Sequence, residues 1–309
     1  MSTANLLVVG SMNMDLVLEA DRIPLPGESY FGTRYHTILG GKGANQATAA
    51  ARMGGHVTFC GRVGDDPNGR KLIEGLEASG VDTGGVAIDP VHPSGLAVII
   101  VEPDGSNRIM VYSGANMQID IENVRPFFDS DYDAVLISLE IPDVIATEVC
   151  RLAERRSIPV IVDAGPARSF PLKEFVGVAI LSPNETEARA LTGISCDTHS
   201  SQEEAARFLL EESGAKHVVI KLGEEGSIAF DGVHIVRHPA YPVEVVDTTA
   251  AGDAFTAALA IQYLETGDVA ASLDLATAAG ALAISRLGAQ PSLPGRAEAE
   301  KFLREQLAR

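Results

Sequence analysis

Five short runs rich in β-branched residues punctuate this chain: "NLLVVG", "DAVLISL", "IPVIVDAG", "VAILSPN" and "HVVIKLG", each closing at a glycine, a proline or an acid. Helical stretches lie between several of them, notably residues 142–156 and 184–213. Near-continuous apolar strands alternating with helices are the pattern of a parallel sheet covered by helices, because each parallel crossover needs a helix and each helix must bury a stripe. The expectation is therefore an α/β fold. Sheets of this kind take ligands beyond the carboxyl ends of their strands.

Two regions break the alternation, residues 15–38 and residues 94–113. The second, "SGLAVIIVEPDGSNRIMVYS", reads as two strands joined by a Pro-Asp-Gly-Ser turn. Such hairpins suit a small second sheet acting as a cover, or an edge extension of the main sheet, and the pattern alone leaves both open. From about residue 250 the chain turns helical, ending in a charged helix near 296–307. With no low-complexity linker and no internal repeat, one large α/β unit with a small excursion is the simplest partition.

The chain has 309 residues, 46% of them hydrophobic, enough for a substantial core. Its 42 acids against 24 bases leave a formal charge of −18, which opposes general attraction to nucleic acid or an anionic membrane and points to a small-molecule partner. Cys60, Cys150 and Cys196 are odd in number and widely spaced, which writes neither a disulfide framework nor a zinc knuckle. A reducing, cytoplasmic setting follows as the expectation, since no apolar run reaches membrane-spanning length and the start lacks a basic lead.

The stretch "GGKGANQAT", residues 40–48, invites a phosphate-loop reading and fails it. A Walker A loop needs Ser or Thr after its lysine, where Gly43 stands, and the dinucleotide fingerprint would need a glycine at Gln46. What remains is a glycine-rich turn opening a helix. Its glycines allow a ligand to approach the backbone, while Lys42 and Asn45 lie three apart and can share one side of the turn. Their donors and acceptor suit hydroxyl groups as well as phosphate. In "GSMNMD", Asn13 and Asp15 fall on one face if the strand continues, which suggests a polyol or sugar, or else a turn-forming pair.

A second signal is "VVDTTAAGDAFTAALA", residues 245–260. Small residues 250–252 precede Asp253 and a helix follows at once, so free N–H groups and the positive end of the dipole converge beside a carboxylate. Asp253 could simply cap that helix. It could also accept the proton of an attacking hydroxyl while the amides hold a phosphoryl group, with Asp247 bracketing the same turn. In "SPNETEARALTG", Asn184 and Glu187 have capping spacing, yet an amide and a carboxylate there could also order magnesium through its waters. "IKLGEEG" at 220–226 is a glycine-bounded loop suited to a nucleotide edge.

Taken in chain order, these motifs resemble the ribokinase family of carbohydrate kinases. The resemblance covers nearly the whole chain, from "GSMNMD" and "GGKGANQA" through "SGAN", "LE" at 139–140, "PNETEA" and "KLGEEG" to "DTTAAGDAF" and "GAQPS". It implies a doubly wound, mostly parallel sheet flanked by helices, residues 1–309 forming a single domain with a β-sheet lid at about 14–38 and 94–113. It further implies transfer of the γ-phosphoryl of ATP to the 5-hydroxyl of D-ribose, by a homodimer joined through the lid. Asn13, Asp15, Gly41, Lys42, Asn45 and Glu140 match positions that bind sugar hydroxyls. Asp253 matches the base, and the amides of Ala250, Ala251, Gly252 and Asp253 the anion hole.

On the nucleotide side the resemblance implies Asn184, Lys221, Gly223, Gly226, Gly252 and Thr277, with Glu187 holding Mg2+ through water. A monovalent cation, K+ by family habit, is implied near Asp247, Thr249, Ala283, Arg286, Gly288 and Ser292, largely through backbone oxygens. Two places depart from the family pattern. Lys221 stands where a small hydroxyl residue is common, which raises a salt bridge to phosphate, and "DAGPARS" replaces an Asn/Asp-Pro-Ala-Pro run. Deoxyribose, a nucleoside or a hexose are alternative acceptors, though a nucleoside base would need an apolar slot. From another class, the fold could serve a non-catalytic sugar-binding or regulatory protein.

Overall fold

The structure is a computed structural model that describes residues 3–103 and 107–308. In chain order its main elements are β1 (Asn5–Val9), β2 (Asn13–Glu19), β3 (Arg34–Gly40), α1 (Lys42–Arg52), β4 (His56–Gly64), α2 (Pro67–Ala78), β5 (Asp82–Asp89), β6 (Gly95–Val101) and β7 (Asn107–Tyr112). Then follow α3 (Ile121–Val124), β8 (Ala134–Ser138), α4 (Asp143–Arg155), β9 (Val160–Asp163), β10 (Val178–Ser182), α5 (Glu185–Thr192), α6 (His199–Ser213) and β11 (His217–Lys221). The chain ends with β12 (Ser227–Phe230), β13 (Ile235–His238), α7 (Ala251–Thr266), α8 (Val269–Ile284) and α9 (Arg296–Leu307).

Among the described residues the main sheet has nine strands in the order β13-β12-β11-β10-β9-β8-β1-β4-β5. Its strands run parallel from β11 to β5, and β12 and β13 join antiparallel at one edge. The reason is visible in β1. Leu6 and Val8 belong to one apolar core with residues of α1, α7 and α8, while Leu7 and Val9 belong to a second core with residues of α4. A strand buried on both faces reads as a continuous apolar run, which is the pattern that predicted it.

The two interruptions form a separate four-stranded sheet, ordered β3-β2-β6-β7, and the edge-extension alternative is thereby excluded. β2 pairs antiparallel with β3 and parallel with β6, and β6 with β7 completes a hairpin. Of the Pro-Asp-Gly-Ser turn expected within that hairpin, residues 104–106 lie outside the described residues. The helical stretch expected over 184–213 is two helices. Gly193 closes α5 in the left-handed region at φ 75°, and Thr198 caps α6 through a hydrogen bond to the Ser201 N–H.

Parallel order brings the carboxyl ends of β1, β8, β9, β10 and β11 to one edge. The amino-terminal ends of α1 and α7 face each other there, joined through side chains described below. No helix among the described residues is long and apolar enough to cross a membrane.

Candidate active site

Asp253 sits in the first turn of α7 and is 5% exposed. It does not cap that helix: the N-cap is Ala250, a non-glycine residue in the left-handed region at φ 60°, and makes no side-chain cap bond. The Asp253 carboxylate instead accepts from α1, with Asn45 Nδ2 donating to Oδ2 at 2.9 Å and Gln46 Nε2 donating to Oδ1 at 3.0 Å. Burial pushes its pKa up to about 6; Lys42 opposes that rise, Asp163 adds to it, and the two amides lower it.

Beside it lies a second carboxylate cluster. Asp15 on β2 is 7% exposed and is pushed up to about 7, by burial first and then by the charges of Glu140 and Asp253. Asn13, two residues earlier on the same strand, accepts from Asn116 Nδ2 at 2.8 Å and donates to Glu140 Oε2 at 3.5 Å. Glu140 Oε2 also accepts the Lys42 backbone N–H at 3.2 Å and the Ser11 hydroxyl. The first strand does not continue to Asn13 as supposed. The chain leaves the main sheet after Val9 and enters the small one at Asn13, yet the period of two still puts Asn13 and Asp15 on one face.

The glycines of "GGKG" are required by the chain itself. A Cβ on Gly41 would lie 2.6 Å from the Asn13 backbone N, one on Gly43 would lie 2.6 Å from Gly10 Cα, and one on Gly40 would collide with the Asp15 carboxylate. Here glycine admits other parts of the chain, so that α1 can begin against the turn joining β1 to β2. Gly41 also takes φ 90°, which only glycine adopts freely. Gly252 contrasts with these: nothing lies nearer its would-be Cβ than the Lys221 side chain at 3.8 Å, and it borders open space.

That space is a cavity of about 980 Å³ bounded by the amino-terminal end of α7, the loops after β10 and β11, and α8. Ala250, Ala251, Gly252 and Asp253 line it, as do Asn184, Lys221, Gly223, Gly226 and Thr277, so the residues predicted for the anion hole and the nucleotide, Glu187 apart, border one space. Tyr241, Pro242, Val243 and Ile284 add an apolar wall that the sequence reading did not locate. A second cavity, about 330 Å³, lies between the small sheet and the loops before α7 and after α8, with Asp15, His36, Ile38 and Ile99 facing Asp247 and Thr249.

Three of the predicted residues also have partners or close neighbours within the chain. The Lys42 ammonium, expected to meet sugar hydroxyls, lies 3.4 Å from Asp163 Oδ1 and 3.5 Å from Glu187 Oε1 and borders the larger cavity. Burial opposes its charge, but Asp163, Asp253, Glu187 and Glu140 together hold its pKa well above the ordinary value. Lys221, for which a phosphate salt bridge was considered, is already saturated: Nζ donates to Asp163 Oδ2 at 2.6 Å, Ser182 O at 3.0 Å and Thr256 Oγ1 at 3.2 Å. Gly226 likewise makes room for the chain, because a Cβ there would meet the His238 carbonyl.

The two departures from the family pattern are therefore one feature. Asp163, from "DAGPARS", is completely buried and pairs with both lysines; although burial opposes ionisation, Lys221 and then Lys42 hold its carboxyl well below the usual range. Asn184 and Glu187 do form a capping box, with Asn184 Oδ1 accepting from Glu187 N and Glu187 Oε2 accepting from Asn184 N, both at 2.8 Å. Glu187 Oε1 stays outside the cap, facing Lys42. One oxygen of this residue thus caps the helix while the other meets Lys42, a residue that borders the cavity.

In the region expected to hold a monovalent cation, Asp247 ties two loops together. Its Oδ1 accepts from Thr249 N at 2.9 Å and Thr249 Oγ1 at 2.6 Å, and its Oδ2 accepts from Gly288 N at 2.8 Å. The Arg286 guanidinium is paired with Glu298, which leaves only its backbone for such a site. The Ser292 hydroxyl donates to the Ala289 carbonyl at 2.8 Å, and the Ala283 carbonyl accepts from Arg286 N at 3.2 Å. No cluster of three or more His, Cys, Asp or Glu side chains arranged to hold a metal occurs among the described residues.

Ser11, Gln46, Asn116, Asp163, Thr256 and Tyr241 were missed as site residues. Gln46 and Ser11 lay inside motifs already singled out, and Asp163 inside a segment marked as unusual, but nothing in a linear pattern states which carboxylate a side chain will meet.

The profile of the pfkB family carbohydrate kinases matches residues 3–296. The chain is 36% identical over 307 residues to the ribokinase of Bacillus subtilis, covering 97% of this chain and 99% of that one. It is 32% identical over 302 residues to the deoxyribokinase of Salmonella typhi, covering 97% and 98% of the two. Among solved structures it superposes on Arabidopsis thaliana ribokinase complexed with ribose and ATP with a TM-score of 0.89 and 36% identity, over 98% of this chain and 99% of that one. The helix-opening carboxylate, the covering small sheet and these likenesses agree, and the chain belongs to the pfkB family of carbohydrate kinases.

Proposed function

We propose that this chain transfers the γ-phosphoryl group of ATP to the 5-hydroxyl of D-ribose, giving D-ribose 5-phosphate and ADP. The observation that carries the reading is Asp253, a buried carboxylate that borders the large cavity and is bonded across to the helix opening "GGKGAN". Likeness to proteins named ribokinase, one of them solved with ribose and ATP, supports this acceptor and this donor.

In this reading Asn13, Asp15, Gly41, Lys42, Asn45 and Glu140 surround the sugar. Asn45 Oδ1 is buried without a partner among the described residues, which suits an acceptor that a sugar hydroxyl completes. Asp253 takes the proton of the attacking hydroxyl. The amides of residues 250–253, at the positive end of α7, hold the charge that spreads over the transferring phosphoryl oxygens. Asn184, Gly223, Gly226 and Thr277 border the nucleotide, and Lys221 acts behind Gly252 rather than on phosphate directly. The small sheet closes as a lid over the sugar and excludes water that would hydrolyse ATP, so that the whole chain works as one domain.

Glu187 fits a magnesium ion held through water, since one of its oxygens lies outside the capping box, beside the Lys42 ammonium that borders the cavity; bound there, the ion would neutralise phosphate charge. The loops joined by Asp247 present hard oxygen donors, which fit K+, and a cation there would steady the start of α7. Exposed apolar residues on the small sheet, among them Tyr35, Ile109, Met110 and Tyr112, support a homodimer through the lid. Three buried free cysteines accord with a cytoplasmic protein.

An ADP-release assay with ribose, deoxyribose, hexoses and nucleosides tests the reading. Ribose should give the highest kcat/KM. Preference for another acceptor by roughly tenfold or more, about 1.4 kcal/mol in transition-state binding, would replace ribose in this reading.

A further inference from the structure

We propose that Gln46 is a positioning residue for Asp253, holding its carboxylate ionised and fixed in orientation for the acceptor hydroxyl. Gln46 is completely buried in α1 and donates from Nε2 to Asp253 Oδ1 at 3.0 Å. Asn45 donates to the other oxygen at 2.9 Å. Each carboxylate oxygen therefore takes one amide donor, and both donors come from successive residues of one helix. Two bonds in this arrangement hold the plane of the carboxylate more tightly than a single bond, because each oxygen is restrained separately.

Packing does not account for a glutamine here. Its Oε1 is buried with no partner among the described residues, a cost that an apolar side chain of similar size would avoid. The amide must turn its nitrogen to Asp253, since an ionised carboxylate only accepts, and that donation favours the charged form. The charged groups around Asp253 come from several elements. Lys42 on α1 stabilises the anion, while Asp163 at the end of β9 and Asp15 on β2 oppose it. Glu140 after β8 acts on Asp15 and Lys42, and the Lys221 ammonium on β11 is neutralised by Asp163. Gln46 is thus a neutral donor in a crowded field of acids, able to favour ionisation without adding charge.

This inference rests on Asp253 being the base. Profiles of kcat and kcat/KM against pH for wild type, Gln46→Leu, Gln46→Glu and Asp253→Asn test it, with ribose binding followed by calorimetry. In Gln46→Leu the acid limb should move up by roughly 0.5–1 pH unit and the plateau kcat should fall about 10-fold, with ribose affinity kept within about 3-fold. Gln46→Glu should move the limb further in the same direction. Independently of any Gln46 variant, side-chain amide resonances of wild-type protein should include two that shift at the midpoint of the acid limb and cease to shift in Asp253→Asn. A folded Gln46→Leu protein with wild-type limb and plateau, or amide spectra with no resonance following that midpoint, overturns the proposal. An Asp253→Asn protein with near-normal turnover would instead overturn the reading of Asp253.

Discussion

Asn45 and Asp253, separated by 208 positions in the chain, meet at 2.9 Å and join the first turn of α1 to the first turn of α7. One helix opens against the turn between the two sheets, and the other opens at the large cavity. The bond therefore lies where an acceptor held by one and a phosphoryl group held by the other would meet.

Asp253→Asn keeps the shape of that junction and removes the proton acceptor. Turnover should fall by roughly 10²–10⁴-fold, the usual worth of general-base catalysis, with ribose binding largely retained. Steady-state kinetics beside calorimetry separate the two effects, and near-normal turnover would take the base role from Asp253.

Activity should rise with pH through about 6, where burial has pushed Asp253, because only the ionised carboxylate accepts a proton. Stability should respond with the opposite sign. Asp15 and Asp253 hold protons in the folded state up to about 7 and about 6, against 3.8 for the ordinary group, so their contribution is full below about 3.8 and is lost as pH rises through those values. Asp15→Asn should raise Tm at pH 8 relative to wild type, change it little at pH 4, and weaken ribose binding. An equal Tm difference at both pH values would remove Asp15 from this account.

Lys221 and Asp163 form a buried ion pair at 2.6 Å, and removal of Lys221 leaves the buried Asp163 carboxylate only its longer contact with Lys42 at 3.4 Å. Lys221→Met alone should cost about 3–5 kcal/mol in unfolding free energy, whereas Lys221→Met combined with Asp163→Asn, a neutral pair, should recover a large part of that loss. Denaturant titrations of the singles and the double form a cycle whose coupling would vanish if the pair were independent.

Two glycine-to-alanine changes should part company. Gly43→Ala places a methyl 2.6 Å from Gly10 Cα and should destabilise the protein by about 1–3 kcal/mol. Gly252→Ala meets nothing nearer than 3.8 Å, so Tm should hold or rise, yet the methyl enters space proposed for phosphate and KM for ATP should rise or kcat fall. Unchanged ATP kinetics in Gly252→Ala would place the phosphoryl group elsewhere.

The elements were legible in the sequence where burial imposes a period. β1 is apolar on both faces because helices cover both, whereas the break between α5 and α6 at Gly193 and Thr198 went unread within the stretch 184–213. The site was legible in part for the same reason: small residues before Asp253 and the spacing from Asn184 to Glu187 are local signals, and their bonds act over a few residues. Lys42 was harder. Its backbone N–H goes to Glu140 and its ammonium to Asp163 and Glu187, a division that depends on strand order.

Residue types and spacing thus marked five of the main-sheet strands, the hairpin regions outside that sheet, and the turns opening α1 and α7, since these follow from short-range sterics and from solvent sorting apolar faces. Folding alone chose partners: that Gln46 faces Asp253, that Asp163 serves two lysines, and that the glycines of "GGKG" yield to the chain itself. Such pairings hang on how parallel strands stack side by side, and a buried charge or amide has no preferred neighbour until that packing brings one within about 3 Å.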